Sequence, residues 1–246
     1  MNKGIANEYV IIKAINNKKY LKLNDNLKSF IKFIFPDIKD NDILECKKIK
    51  TLDKADIYIK HNNIIKNISI KSGNRVSVHS ENVKQFITFL KRININEAII
   101  DYLLLYHYGD DTTNGSGKKR MSAEELKIKY EREIRIFNKY VNYKNIIKKI
   151  INRCLFEGTS EENIADYVYY GNSQHGIYAS KEEIIDYMCN NRFIDLNPPH
   201  FSALIYQNLN RNLVLNPRLE THRYYCQLKW PSIAGDLNKI RSNDML

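Results

Sequence analysis

Three features of the sequence predict an α/β fold. Two helical stripes of apolar residues fill the first 34 positions, two β-rich runs flank an Asn-rich turn at 56–71, and helix caps alternate with strand patterns beyond. In order, Ile5, Tyr9, Ile12 and Ile15 recur at helical spacing and place Glu8 in a first helix. Leu27, Phe30, Ile31 and Ile34 form a second stripe that Pro36 stops. Residues 43–50 fit a strand or a helix. Asp56–Lys60 and Ile64–Lys71, joined by His61-Asn62-Asn63 and closed by Ser72-Gly73-Asn74, read as a hairpin.

A helix is expected from near Ser80, carrying Val83, Phe86, Ile87 and Leu90. Ala98–Tyr108 suits a buried strand or a short core helix, and Gly109–Arg120 is a polar loop. Ser122-Ala-Glu-Glu125 is a capping box that opens a long amphipathic helix towards Arg153, and Ser180-Lys-Glu-Glu183 is a second box. Between them DYVYYG and HGIYAS form a small hairpin. After Pro198-Pro199 come strands at Ala203–Asn208 and Thr221–Trp230, then a terminal helix. The expected organisation is a core at 1–108 with residues 109–246 as a largely helical elaboration, packed on it as one continuous unit.

Composition narrows the class. The 246 residues are 43% hydrophobic and 27% charged, with 9 Gly and 5 Pro, which excludes a disordered or collagen-like chain. No apolar run approaches the 18 or more residues of a membrane span, and the N-terminus lacks a signal-peptide pattern, so a soluble cytoplasmic protein is expected. Cys46, Cys154, Cys189 and Cys226 stand apart with no C-x-x-C pair, as buried thiols in a reducing compartment do. The net charge is +11, although residues 154–196 hold 2 basic and 8 acidic side chains. A basic body suits a polyanionic partner, and double-stranded DNA is the expected one.

The hairpin carries the chemistry. Asp56 stands at the mouth of its first strand, and alternation puts Ser69 and Lys71 on one face of the second, roughly 7 Å apart, with Ile68 and Ile70 on the other. A carboxylate and a lysine at adjacent strand ends can meet at one point. A hard divalent cation takes oxygen ligands such as Asp, and a lysine there orients water and offsets phosphate charge. An amphipathic hairpin with ordinary surface charges gives the same pattern.

Asp56, twelve intervening residues, then Ser69-Ile70-Lys71 after an acidic first helix resembles the PD-(D/E)XK nuclease core found in many restriction endonucleases. The resemblance covers roughly residues 4–105. It implies an α-β-β-β-α-β core, a mixed central sheet flanked by helices, with Asp56 and Lys71 in the motif positions. Ala55 replaces the motif Pro and Ser69 the second acid. A Ser-x-Lys subgroup of the family compensates with a glutamate on the following helix, which Glu81 matches at a shorter spacing. Glu8 corresponds to the first-helix acid that many members add. The implied site is then Asp56, Glu81 (or Glu8), Lys71 and Ser69, with Asp56, Glu81 and Glu8 as ligands of Mg²⁺, for which Mn²⁺ substitutes.

Three look-alikes fail on their own residues. Gly176-Ile177-Tyr178 and Tyr169-Tyr170-Gly171 stand in the reverse order to a GIY-YIG nuclease, Gly117-Lys118 lacks the P-loop pattern, and His61-Asn62-Asn63 is a turn rather than an HNH motif.

Two segments are candidates for holding nucleic acid. The helix after Ser122 presents Lys127, Lys129, Arg132, Arg135, Lys139, Lys148 and Lys149, but also Glu125, Glu131 and Glu133, and reads equally as a solvated face. The strand from Thr221 puts Arg223, Gln227 and Lys229 on one face, as a groove-reading strand needs and as any amphipathic edge strand shows. Arg211 and Lys118-Lys119-Arg120 complete the expected DNA-binding set. Together these readings point to a Mg²⁺-dependent, sequence-specific type II endonuclease working as a homodimer. A non-catalytic nucleic-acid-binding module with the same fold, or a repair or RNA nuclease, is the alternative.

Overall fold

A computed structural model describes residues 3–49, 53–74, 76–117, 120–160, 162–191, 197–209 and 217–243. The chain forms two compact units. One comprises Met1–Val76, Leu155–Asp186 and Ser232–Leu246, and the other Ser77–Cys154 and Tyr187–Pro231. This division differs from the single boundary expected at 108, because the chain leaves the first unit after its central strands and returns to it twice. Such a path leaves no composition signal in the sequence.

The first unit opens with α1 (Lys3–Ile15), β1 (Lys18–Lys19) and α2 (Asp25–Ile34). It continues through β2 (Ile43–Lys48), β3 (Ile57–His61) and β4 (Ile64–Lys71). Residues 43–50 therefore resolve as a strand. α2 follows its stripe: Leu27, Phe30, Ile31 and Ile34 are all buried, and Asn24 caps the helix by accepting from Leu27 N. α1 does not. Ile5 and Tyr9 are exposed, and the buried side is Glu8, Ile11 and Ile15, one residue round from the expected stripe. The shift is possible because Glu8 enters the interface as an ion pair with Lys48 of β2.

The sheet order is β1-β2-β3-β4-β6-β7, where β6 (Tyr167–Gly171) and β7 (Gly176–Ser180) are the expected small hairpin. β2, β3 and β4 form an antiparallel meander, and β6 runs parallel to β4 with Ser69 opposite Val168 and Lys71 opposite Tyr170. The β3–β4 connection is a two-residue turn in which Asn62 takes the left-handed φ of +53° that Asn tolerates. One sheet face carries Leu44, Cys46, Ile57, Ile59, Ile68, Ile70 and Tyr169, packed against α1 and α2 as a single apolar core. Phe30 of α2 lies against the rings of Tyr169 and Tyr178 at 4.9 and 5.0 Å.

The second unit has a four-stranded sheet in the order β5-β10-β9-β8, with β5 (Val76–Asn82), β8 (His200–Phe201), β9 (Leu204–Asn208) and β10 (Tyr225–Trp230). Its helices are α3 (Val83–Arg92), α4 (Glu97–Tyr108), α5 (Ala123–Lys129), α6 (Glu131–Val141) and α7 (Lys144–Ile151). Ala98–Tyr108 is thus a core helix. The single long helix expected after Ser122 is three, broken at Tyr130 and at Asn142-Tyr143, while the Ser122–Glu125 capping box is present in both its hydrogen bonds. α8 (Lys181–Asn190) starts at the second box, where Ser180 N donates to Glu183 and Glu183 N to Ser180 Oγ. α9 (Ile233–Asn243) is the last described element. Residues 109–246 hold α5–α9 and five short strands among the described residues. Among the described residues no helix is long and apolar enough to cross a membrane.

Candidate active site

The hairpin geometry assembles Asp56, Ser69 and Lys71. Asp56 precedes β3 and its N–H donates to Ile68 O at 2.9 Å, fixing it against β4. Its Oδ2 then accepts from three consecutive residues of that strand: Ser69 Oγ at 3.3 Å, Ile70 N at 2.7 Å and Lys71 Nζ at 3.2 Å. Lys71 Nζ also donates to Ile70 O at 3.2 Å. Asp56 Oδ1 has no hydrogen bond among the described residues. The Asp56 and Lys71 side chains are 22% and 19% exposed, so both reach solvent while Ser69 is buried.

The packing explains the placement. Ile68 and Ile70 enter the core, which turns Ser69 and Lys71 to the opposite face, and the end of β4 lets the lysine lean back over Asp56. Tyr170 of β6 stands beside Lys71 in the parallel pairing, and its hydroxyl donates to Gly73 O at 2.9 Å, tying down the chain that leaves the lysine. Lys71 and Tyr170 mark the carboxyl ends of two parallel strands, where open α/β sheets bind their ligands. Tyr170 escapes a reading of the sequence because its link to Lys71 spans 99 positions and depends on strand pairing alone.

Glu8 makes no hydrogen bond to Asp56, Ser69 or Lys71 among the described residues. It pairs with Lys48, which lies opposite Ile57 and alternates with Leu44 and Cys46 on the core face. Ser69 and Lys71 leave from the other face. Ile49 N, next to Lys48, donates to Asp56 O at 3.1 Å, which ties the end of β2 to the residue before β3.

Glu81 belongs to the other unit. It lies on β5, not on the helix after it, whose cap is Asn82. Its carboxylate is buried and engaged at both oxygens, by His79 Nε2 at 2.6 Å and by the Arg153 guanidinium at 2.9 Å. Burial pushes the Glu81 carboxyl up, but His79 and Arg153 outweigh it and hold the group below its ordinary value. The displaced-acid role expected for Glu81 therefore meets a carboxylate already committed to a cation. Among the described residues no cluster of three or more His, Cys, Asp or Glu side chains is placed to hold a metal.

The expected DNA-binding residues fare unequally. The strand starts at Tyr225, so Arg223 lies in a 3-10 segment before it, and its guanidinium donates to Gly115 O at 2.6 Å and pairs with Asp110 at 3.3 Å. Within β10 the alternation holds: Cys226, Leu228 and Trp230 are buried while Gln227 and Lys229 face outward. β10 is an interior strand, however, and Gln227 accepts from Gln207 of β9 at 2.9 Å. Arg120 donates to the carbonyls of Tyr108 and His107 at 2.8 and 3.2 Å, closing the end of α4. Lys118, Lys119 and Arg211 lie outside the described residues. All four cysteines are buried thiols outside any disulfide, and burial pushes the Cys46 thiol up to about 12.

No protein-family model matches this sequence, and the comparison with curated proteins finds no match.

Proposed function

We propose that the protein is a Mg²⁺-dependent endonuclease that hydrolyses phosphodiester bonds of double-stranded DNA, in the manner of a sequence-specific type II restriction endonuclease. The observation that carries the reading is the meeting of Asp56 and Lys71 at the ends of adjacent strands. A mixed α/β sheet gives coarser support: after α1, β1 and α2 comes an antiparallel meander whose last strand, β4, pairs in parallel with β6. The core expected from the resemblance to PD-(D/E)XK nucleases is confined to residues 4–105, whereas β6 comes at Tyr167–Gly171, after a stretch that belongs to the other unit.

The oxygen donors fit a magnesium ion that keeps most of its waters. Asp56 offers Oδ1, since its contacts to Ser69, Ile70 and Lys71 all use Oδ2, and Mg²⁺ is commonly held by one or two carboxylates plus substrate phosphate. The chemistry such an ion supplies is Lewis-acid polarisation of a phosphoryl oxygen. The protein's part rests on Lys71. An ammonium has three protons; here two are directed at Asp56 and Ile70, which leaves the third for a phosphate oxygen or for the attacking water. Asp56 thereby fixes the lysine, and the lysine concentrates positive charge where the phosphate charge develops. Two such sites would cut both strands of a duplex in one encounter, which is the reason to expect a homodimer, and a DNA substrate is the reason to expect a cytoplasmic enzyme.

One observation favours a second reading. Ser69 stands where the second acid is expected, and Glu81 is held by Arg153, so a non-catalytic DNA-binding module would leave the same residues in the same places. Plasmid DNA incubated with the protein in Mg²⁺ and in EDTA decides between them. Discrete fragments that appear only with Mg²⁺ are expected. A mobility shift without any strand breakage assigns the protein to the second reading, and smearing makes it a nuclease without sequence preference.

A further inference from the structure

α6 and α7 each carry a row of exposed cations. α6 buries Ile134, Phe137, Asn138 and Val141 on one side. At 3.6 residues per turn, about the geometry of any α-helix, the side opposite holds Arg132, Arg135, Ile136 and Lys139, all exposed. Glu131 and Glu133 fall on the two flanks, so the acids that balance the charge in the sequence are not on the outermost line. α7 buries Ile147, Ile150 and Ile151 and exposes Lys144, Lys148 and Lys149. Both helices pack against β8, and on each the cations lie away from its buried side.

Residues 131–151 hold six Lys or Arg against two Glu. The ion pair in that stretch, Arg135 with Glu131, is exposed on both sides and contributes little. Arg132, Lys139, Lys148 and Lys149 make no ion pair among the described residues. Within α6 the cations extend over roughly 10 Å at 1.5 Å per residue. That is a linear array, matched by a polymer of regular negative charge rather than by a small anion. An anionic membrane would require an apolar stripe beside the cations, and the apolar stripes of α6 and α7 are buried.

We propose that these rows are the surface on which the sugar-phosphate backbone of duplex DNA docks, supplying the sequence-independent part of the affinity. The proposal rests on the endonuclease reading and adds the docking surface to it. The test is a titration of a 20-bp duplex in EDTA at several salt concentrations. The triple variant Arg132→Ala/Lys139→Ala/Lys148→Ala is compared with wild type and with a control, Lys13→Ala/Lys32→Ala/Lys39→Ala, of three exposed lysines in the other unit. Each lost phosphate contact lowers the slope of log K against log salt by about 0.9. The first triple should lose about two to three units of slope and the control less than one. An unchanged slope, or an equal loss in the control, overturns the proposal. Because the titration needs no metal, wild-type protein that binds but does not cut on adding Mg²⁺ defeats the endonuclease reading and leaves this surface standing. Protein that cuts while the triple titrates like wild type does the reverse.

Discussion

Lys71 Nζ lies 3.2 Å from Asp56 Oδ2, and that same oxygen accepts from Ile70 N at 2.7 Å. Asp56 is therefore two things at once. It is the acceptor that satisfies a main-chain donor near the end of β4, and it is the anchor of the ammonium in the proposed site. The two roles separate in mutants.

Lys71→Ala removes only the ammonium. A partly exposed ion pair contributes about 0–1 kcal/mol, so the melting temperature should move by a few degrees at most. Mg²⁺-dependent cleavage should fall at least a hundredfold. Asp56→Ala should also stop cleavage, and it additionally strands Ile70 N at a cost of about 1–3 kcal/mol. Asp56→Asn keeps a carbonyl acceptor and should recover most of that stability without the activity. Thermal melts alongside plasmid nicking read both effects, and wild-type cleavage by folded Lys71→Ala removes the lysine from the site.

Glu81 gives an opposite pattern. Removing one partner of a buried ion pair costs about 3–5 kcal/mol, whereas replacing both with apolar residues is often near neutral. Glu81→Leu should destabilise strongly because Arg153 stays buried, and Glu81→Leu/Arg153→Met should regain much of the loss. A metal ligand would behave differently, with activity lost and stability kept. Urea denaturation of the two variants distinguishes the cases.

The same group predicts an acid limit. Glu81 has a folded pKa below its ordinary 4.5, with His79 and Arg153 outweighing burial. Its stabilising contribution is therefore complete above about pH 4.5 and disappears as the pH falls through the lower folded value. Between pH 6 and pH 3 the wild type should lose stability that Glu81→Leu/Arg153→Met does not. Parallel slopes for the two proteins would mean that other carboxylates set the acid limit.

Local signals carried much of the fold. The α2 stripe, the 56–71 hairpin, both capping boxes, the 167–180 hairpin and the alternation within β10 all follow from neighbours a few positions apart. What escaped was decided by distant partners. Glu8 is buried because Lys48 waits on β2, which turns α1 by one residue. Arg223 leaves the strand pattern because Asp110 and Gly115 capture its guanidinium. Periodicity could not show that Tyr130 and Asn142 break one helix into three. Of the candidate site, Asp56, Ser69 and Lys71 were legible since one hairpin carries them all. The commitment of Glu81 to Arg153 was not, because 72 positions separate the two.

The cysteines should be silent in the native state. Each is buried out of a reagent's reach, and burial also raises the Cys46 and Cys226 thiols, which leaves those two almost no thiolate at neutral pH. A thiol reagent should label none of the four within minutes until denaturant is added. Rapid labelling of native protein would mean that one of these segments opens.

The loop after α4 should behave as one cooperative unit with Arg223. Asp110 buries its side chain and uses both oxygens: Oδ1 accepts from Thr112 N and Oγ1, and Oδ2 accepts from Gly117 N at 3.0 Å and from Arg223. Arg223 also holds Gly115 O. Gly117 is required here, since a Cβ on it would lie 2.2 Å from Asp110 O. Arg223→Ala should cost about 3 kcal/mol because a buried carboxylate loses its cation. Asp110→Ala should cost a similar amount, and the double variant clearly less than the sum, since groups in one network couple by about 0.5–3 kcal/mol. If Arg223 instead read a base, its loss would relax sequence preference by about 1–3 kcal/mol and leave stability alone. Urea denaturation of the four proteins of the cycle, with cognate and scrambled duplexes titrated in parallel, separates a clamp from a reader. Additive, near-zero stability effects with lost preference would return Arg223 to the DNA interface.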